Sequence, residues 1–249
     1  MAEIQLKRQM LMEHLKALRK AIIISVIAIA VFFVASFYAI REPLIAFILT
    51  PLRQRGVEVI TTQVAEALMM QLKACFVAGM VLAMPVITWQ IWEFVSPALF
   101  HNEKKLFGIL FLGGLLMYFT GVAFAYWVMF PFTIDLFVNA AEGVATSLWS
   151  VEKYFGFMLG FVVPSGLMFE LPVVVYMMAR RGWVSYEKLK KSRKYVVLAI
   201  SFVAMILTPP DVISQCVMGV PMYILFEVGV QISRYVKPKH MLAQEDARV

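Results

Sequence analysis

Charge is what this sequence has little of. Only 16% of its 249 residues are Asp, Glu, Lys or Arg, while 61% are hydrophobic. Soluble domains average about 25% charged and about 45–50% apolar residues. A chain this apolar cannot cover a water-facing surface, so the excess must face lipid. Histidine is equally sparse. His14, His101 and His240 are scattered and form no HExxH pair, which removes the usual zinc-ligand spacing. The two cysteines, Cys75 and Cys216, lie inside apolar runs. They make neither a metal spacing nor a disulfide framework and read as small buried hydrophobes. No GxxxxGK[ST] loop and no GxSxG elbow occurs, so ATP hydrolysis and acyl transfer lack their usual machinery. The apolar runs contain no His and no Asp, so the paired groups of an intramembrane protease are missing. The reading is a non-enzyme with no metal and no cofactor.

What is present is a series of long apolar stretches. A membrane-spanning helix needs about 20 apolar residues. Runs at 21–40, 68–92, 106–130 and 154–179 meet that length, the second broken by Lys73 and Pro85 and the fourth carrying Pro164, Glu170 and Pro172. The fifth, 195–208, has only 14 residues, and the sixth, 212–232, begins with the polar Ser214 and Gln215. Pro209 and Pro210 turn the chain between them, because consecutive prolines cannot continue a helical ladder. The predicted fold is therefore all-α and polytopic. It has six transmembrane helices with short fifth and sixth spans, in one integral membrane domain over residues 1–249. The first run follows a polar start and ends without a small-residue cleavage motif, so it is expected to remain a span. The tail 237–249 is expected to be disordered.

Loop charges orient the bundle. With a cytoplasmic N-terminus, the inside segments 1–20, 93–105, 180–194 and 233–249 hold five, two, seven and four Lys or Arg residues. The outside segments 41–67, 131–152 and 209–211 hold three, none and none. Eighteen against three places both termini in the cytoplasm, and Lys73 and Lys153 can snorkel from the outer ends of their spans. A net charge of +7 therefore marks topology rather than nucleic-acid binding. Pro43 to Leu52 is apolar enough to form an amphipathic helix at the outer surface. Tyr126, Trp127, Trp149 and Tyr154 suit the outer aromatic belt, and Trp89, Trp92 and Trp183 the inner one.

Two carboxylates fall inside apolar runs, Glu170 and Glu227. A charged side chain at mid-bilayer costs about 2.5–3.5 kcal/mol on insertion scales. Each must face a cavity, pair, or stay protonated. Gly156 and Gly160 make a GxxxG spacing that suits close helix packing within the bundle.

Several ordered motifs go beyond generic membrane character. They are Met12-Glu13-His14-Leu15-Lys16-Ala17-Leu18-Arg19-Lys20, then Phe94-Val95-Ser96-Pro97-Ala98-Leu99-Phe100-His101-Asn102-Glu103-Lys104-Lys105. Further on stand Met168-Phe169-Glu170-Leu171-Pro172 and Leu207-Thr208-Pro209-Pro210-Asp211-Val212-Ile213-Ser214-Gln215, followed by Pro221-Met222-Tyr223 and Leu225-Phe226-Glu227. Over roughly residues 10 to 236 the chain resembles the TatC family, the polytopic core of twin-arginine protein translocases. The resemblance implies a concave, cupped bundle in the bacterial cytoplasmic (inner) membrane, with both ends in the cytoplasm. It implies binding of twin-arginine signal peptides of folded cargo at the cytoplasmic face and assembly with TatA- and TatB-type single-span subunits and other TatC copies. Export would be driven by the proton-motive force. Membrane lipids are the remaining expected partner, and nucleic acid is not one.

Residue roles follow from the same resemblance. Glu103 is the first choice for a signal-peptide carboxylate, since paired guanidinium groups want carboxylates in bidentate geometry. Many family members carry an acidic residue immediately before the Leu-Arg pair, where this chain has Ala17. Glu13 lies four residues earlier on the same helix face and is expected to substitute in part. Arg19, Phe94 and Pro97 match motif positions that organise the same surface. Glu170 matches the family's intramembrane acid, Gln215 a polar position associated with partner helices, and Glu227 also fits the pattern. Pro43 and Asp211 match positions expected to fix loop structure. The competing reading from another class is a secondary transporter with Glu170 as its coupling carboxylate, which would call for inverted repeats that the sequence does not show.

Overall fold

The long apolar runs are helical in the computed structural model, which describes residues 2–99, 104–142, 148–208 and 211–236; side-chain surroundings are described for residues 12, 15–94, 108–142, 148–208 and 211–236. The tail 237–249 lies outside the described residues. Residues 1–47 with 71–115 form one compact unit, and residues 48–70 with 116–249 form a second.

In the first unit, α1 (Ala2–Ala39) carries the first apolar run. Ile22, Val26, Val31 and Val34 on it are exposed, as expected of side chains that meet lipid. α2 (Arg41–Arg53) follows almost at once and realises the amphipathic segment expected at Pro43 to Leu52. α3 (Glu66–Leu99) carries the second run. It approaches α1 at Gly79, where an added Cβ would lie 2.7 Å from the backbone N of Phe33 and 2.8 Å from its Cα. Backbone cannot swing aside, so Gly79→Ala forces the two helices apart. The expected cost is about 1–3 kcal/mol, the range for overpacking, read as a lowered midpoint in thermal unfolding; an unchanged midpoint would contradict so close an approach. Ring contacts add to this packing: Phe33 meets Phe76 edge-on at 6.1 Å, and Trp89 meets Phe111 at 5.4 Å.

Helix α4 (Lys104–Phe124) widens into a π turn at Ala125–Met129 and continues as α5 (Phe130–Ala141). Pro131, in the first turn of α5, cannot donate to the preceding turn, and single π turns absorb such gaps in the ladder. The third run thus continues as helix to Ala141, past the expected boundary at 130. Gly121 fits against α6 (Val151–Phe169), where a Cβ would come within 2.6 Å of the Ser165 carbonyl oxygen. Phe130, Ile134, Phe155, Phe161, Met218 and Val230 are fully buried at the centre of the second unit.

The fourth run is broken rather than straight. α6 ends at Phe169 and α7 (Leu171–Arg180) begins one residue after Glu170, with Pro172 in its first turn. Gly182, with φ of +74°, closes α7; its N–H donates to the Ala179 carbonyl at 2.9 Å, and that of Trp183 to Met178 at 3.0 Å. Positive φ is the conformation glycine adopts without a Cβ penalty. α8 (Tyr186–Leu207) has 22 residues, more than its 14-residue apolar run, because the polar stretch from Tyr186 to Lys194 is helical too. Ser185 caps it by accepting from the Lys188 N–H at 3.4 Å. α9 (Val212–Tyr235) has 24 residues and packs on α7 and α8.

Among the described residues, five helical segments are long and apolar enough to cross a membrane: Leu15–Ala39, Glu66–Phe94, Gly108–Ala141, Val151–Arg180 and Val212–Tyr235. They contain the first, second, third, fourth and sixth runs. α8 is not among them, since nearly half of it is polar.

One element has no counterpart in the expected fold. β1 (Glu58–Ile60) and β2 (Leu148–Ser150) pair in parallel, with Glu58 opposite Leu148, Val59 opposite Trp149 and Ile60 opposite Ser150. The two segments read as outside loops are thereby joined.

Candidate functional site

The second unit holds the polar groups of its apolar helices in distinct ways. Glu170 sits at the α6–α7 break, where its Oε1 is buried with no hydrogen-bond partner. Buried polar atoms in folded proteins are nearly always satisfied, so this oxygen is a group left over by the internal packing. Glu227 differs. The Arg193 guanidinium of α8 donates to its Oε1, and Gln231 Nε2 approaches the same oxygen at 3.5 Å. Both side chains are about one-third exposed. Glu227 Oε2 and Arg193 Nε remain without partners, so the pair ties α8 to α9 without exhausting either group.

The turn between α8 and α9 is built from side chains acting on backbone. Thr208 donates through Oγ1 to the Ala204 carbonyl at 2.9 Å and is buried. Asp211 is the N-cap of α9 and its Oδ1 accepts from the Ser214 N–H at 2.6 Å. Such a cap satisfies an N–H that the helix itself cannot. Gln215 donates through Nε2 to the Ser201 carbonyl at 2.8 Å, bridging the two helices one turn further in. The motif residues of this turn therefore shape the hairpin as well as presenting polar groups on it.

The strongest polar cluster was not singled out by the sequence. Glu66 is 3% exposed, and its carboxylate accepts from five donors. Oε2 takes the N–H of Thr62, the Thr62 hydroxyl at 2.8 Å and the Gln63 N–H at 3.0 Å; Oε1 takes the Ser150 hydroxyl at 2.7 Å and the Glu152 N–H at 2.9 Å. One side chain thus caps the start of its own helix and binds β2 and the first turn of α6. Beside it, Arg55 forms a two-pronged ion pair with Asp135 of α5 and donates to the Pro51 carbonyl at 3.0 Å. The carboxylate holds the guanidinium above its ordinary pKa. Tyr154 is buried, and its hydroxyl donates to the Ile48 carbonyl at 2.6 Å. The only sequence signals were an acidic residue at the foot of an apolar run and a polar turn before it.

Of the residues expected to meet a signal peptide, those that the structure describes lie on α1 and α3 of the first unit. Glu13 and Arg19 are on α1, six residues apart, and Arg19 is exposed. Phe94 is half-buried near the end of α3, and Pro97 lies in the last turn of that helix. Pro43 is exposed in the first turn of α2. Glu103 lies outside the described residues, as do the side chains of Glu13 and Pro97. Among the described residues, no group of three His, Cys, Asp or Glu side chains could hold a metal.

A helical membrane chain with these loop and turn motifs can be placed by comparison. A family model described as Sec-independent protein translocase protein (TatC) matches residues 13–221. The chain belongs to the TatC family. It is 38% identical over 234 residues to the Sec-independent protein translocase protein TatC of Carboxydothermus hydrogenoformans, spanning 94% of this chain and 96% of that one. It is 36% identical over 230 residues to TatC of Escherichia coli K12, spanning 91% and 89%. A crystal structure of the twin arginine translocase receptor TatC superposes with a TM-score of 0.80 at 34% identity, covering 88% of this chain and 97% of that one. As a TatC protein the chain is a predominantly helical, multi-pass membrane component of a Sec-independent protein translocase. It is a transport subunit and not an enzyme. A secondary transporter built on Glu170 finds no support among these relatives.

Proposed function

We propose that this chain is the receptor of its translocase. It binds paired-arginine signal peptides of folded proteins at the cytoplasmic face of a bacterial inner membrane. Six spans with both termini inside would present Glu103, Glu13, Arg19, Phe94 and Pro97 on that face. The observation that carries this reading is the likeness, over most of both chains, to a structure described as a twin arginine translocase receptor. The basic-residue imbalance of the loops supports the orientation.

On this reading recognition is electrostatic and geometric. An arginine side chain presents a planar fork of donors that a carboxylate can meet with two parallel bonds. A carboxylate at Glu103 takes one guanidinium, and Glu13 assists with the other in place of the acid absent at Ala17. TatA- and TatB-type subunits then dock on the α8–α9 hairpin, near Gln215. Glu170 and Glu227 are the intramembrane carboxylates of the partner-binding region, each keeping one buried oxygen without an internal partner. Other copies of the chain complete the complex, and the proton-motive force drives export.

Complementation tests this reading. Cells lacking their own TatC, given this chain with its partner subunits, should regain export of a folded reporter behind a twin-arginine signal, and a protonophore should stop it. Protonophore-insensitive export, or none despite stable insertion of the chain, would refute it.

A further inference from the structure

Beside the small sheet lies a cavity of about 620 Å³, within the about 300–1,000 Å³ of typical ligand sites. Its walls are aromatic. Phe137 of α5 meets Phe157 of α6 at 5.8 Å with tilted rings and Trp149 of β2 edge-on at 6.5 Å, and Trp149 meets Tyr154 at 6.2 Å. Ile60 and Leu148 also line it, and they are 41% and 56% exposed. Lys153 is the charged residue among the described lining.

The arrangement has a polarity. Lys153 is in the first turn of α6, at the start of the apolar segment Val151–Arg180. Phe157 is four residues on, on the same helix face and about 6 Å deeper. The cleft therefore carries a cation at its polar end and rings along its apolar depth. Nearby carboxylates are engaged elsewhere or lie off the cavity: Asp135 is paired with Arg55, Glu66 is saturated by its five donors, and Glu152, beside Lys153 in the first turn of α6, is half-buried and outside the lining. Glu58 is exposed and outside the lining. The positive charge of Lys153 thus remains at the mouth of the groove.

We propose that this groove holds an acyl chain of an anionic phospholipid whose phosphate rests on Lys153. A lipid supplies both halves of the complement, a fixed negative charge at headgroup depth and an apolar chain below it. A zwitterionic lipid is a poorer fit, because its own ammonium competes with Lys153 for the phosphate. The site needs only that the chain spans a membrane; it does not depend on signal-peptide recognition.

Native mass spectrometry of the full chain in detergent, titrated with phosphatidylglycerol and with phosphatidylethanolamine of the same acyl chains, tests this. The wild type should retain phosphatidylglycerol in clear preference. Lys153→Glu should weaken retention by about tenfold, in line with the worth of a basic residue at an anionic surface, and Lys153→Arg should keep it. Lys188→Glu, on α8, should have no effect. Equal retention of the two lipids, wild-type retention by Lys153→Glu, loss in Lys188→Glu, or displacement by excess inorganic phosphate would overturn the proposal. In intact membranes, a photoreactive residue at Leu148 should yield a lipid adduct; a polypeptide adduct instead would assign the groove to a protein partner and overturn it.

Discussion

Replacing Glu103 by alanine should lower photo-crosslinking of a twin-arginine signal peptide by about tenfold or more. Each hydrogen bond to a charged group is worth about 1.5–3 kcal/mol, and a bidentate pair makes two, so the missing carboxylate removes about 3 kcal/mol or more and a tenfold loss, the worth of a single such bond, is the floor. Lys104 and Lys105 follow it directly. Without Glu103 that stretch is purely basic and repels the peptide it should attract. Glu103→Gln keeps the shape but not the charge and should lose nearly as much. Glu13→Ala should lose less, because its place four residues before Ala17 makes it an assistant rather than the main partner. Wild-type crosslinking in Glu13→Ala would remove Glu13 from the site, and wild-type crosslinking in Glu103→Ala would displace the site altogether.

The second large effect is on stability. Glu66→Ala removes the acceptor of five donors at once. The backbone N–H groups of Thr62, Gln63 and Glu152 then have to find water or distort the chain. A fall in melting temperature on the order of 10 °C is expected, with loosening of the β1–β2 pairing as the first event. Ser150→Ala removes one donor, leaving the carboxylate four, and the N-cap of α6, so it should cost about 4–6 °C, less than Glu66→Ala. Hydrogen exchange at Val59 and Trp149 separates the two variants, since Glu66→Ala should expose those amides and Ser150→Ala should not. Equal melting of Glu66→Ala and the wild type would show that the cluster does not hold β1 and β2 together.

The parts of this fold that sequence reveals are those governed by local pattern. The runs near 21–40 and 68–92 lie in α1 and α3 because membrane helices satisfy their backbone internally and need only a long apolar stretch. The end of α8 at Leu207, just before Pro209-Pro210 in sequence, follows from donors that prolines lack, whereas the run 154–179 reads as unbroken and its break at Glu170 was not legible. α8 shows where hydropathy misleads. Its first turns are Lys- and Glu-rich, read as a loop, yet Ser185 with Glu187 after it is an ordinary helix start, and those residue types favour helix. The parallel pairing of β1 with β2 was not legible, since three-residue strands some ninety positions apart carry no periodic signal. Arg55 with Asp135 and Glu66 with Ser150 were hidden for the same reason, being partners only in space. Arg193 counted as one more cytoplasmic positive charge, whereas the structure makes it the partner of Glu227. The roles of Glu103 and Glu13 came from motif likeness alone.

The receptor reading is tested most directly by signal-peptide binding to membranes that contain this chain. A peptide with its paired arginines should crosslink strongly, and the same peptide with paired lysines should crosslink about tenfold less. A lysine ammonium is a point charge that cannot reproduce two parallel bonds to a carboxylate. Equal crosslinking of the two peptides would contradict recognition through paired guanidinium groups.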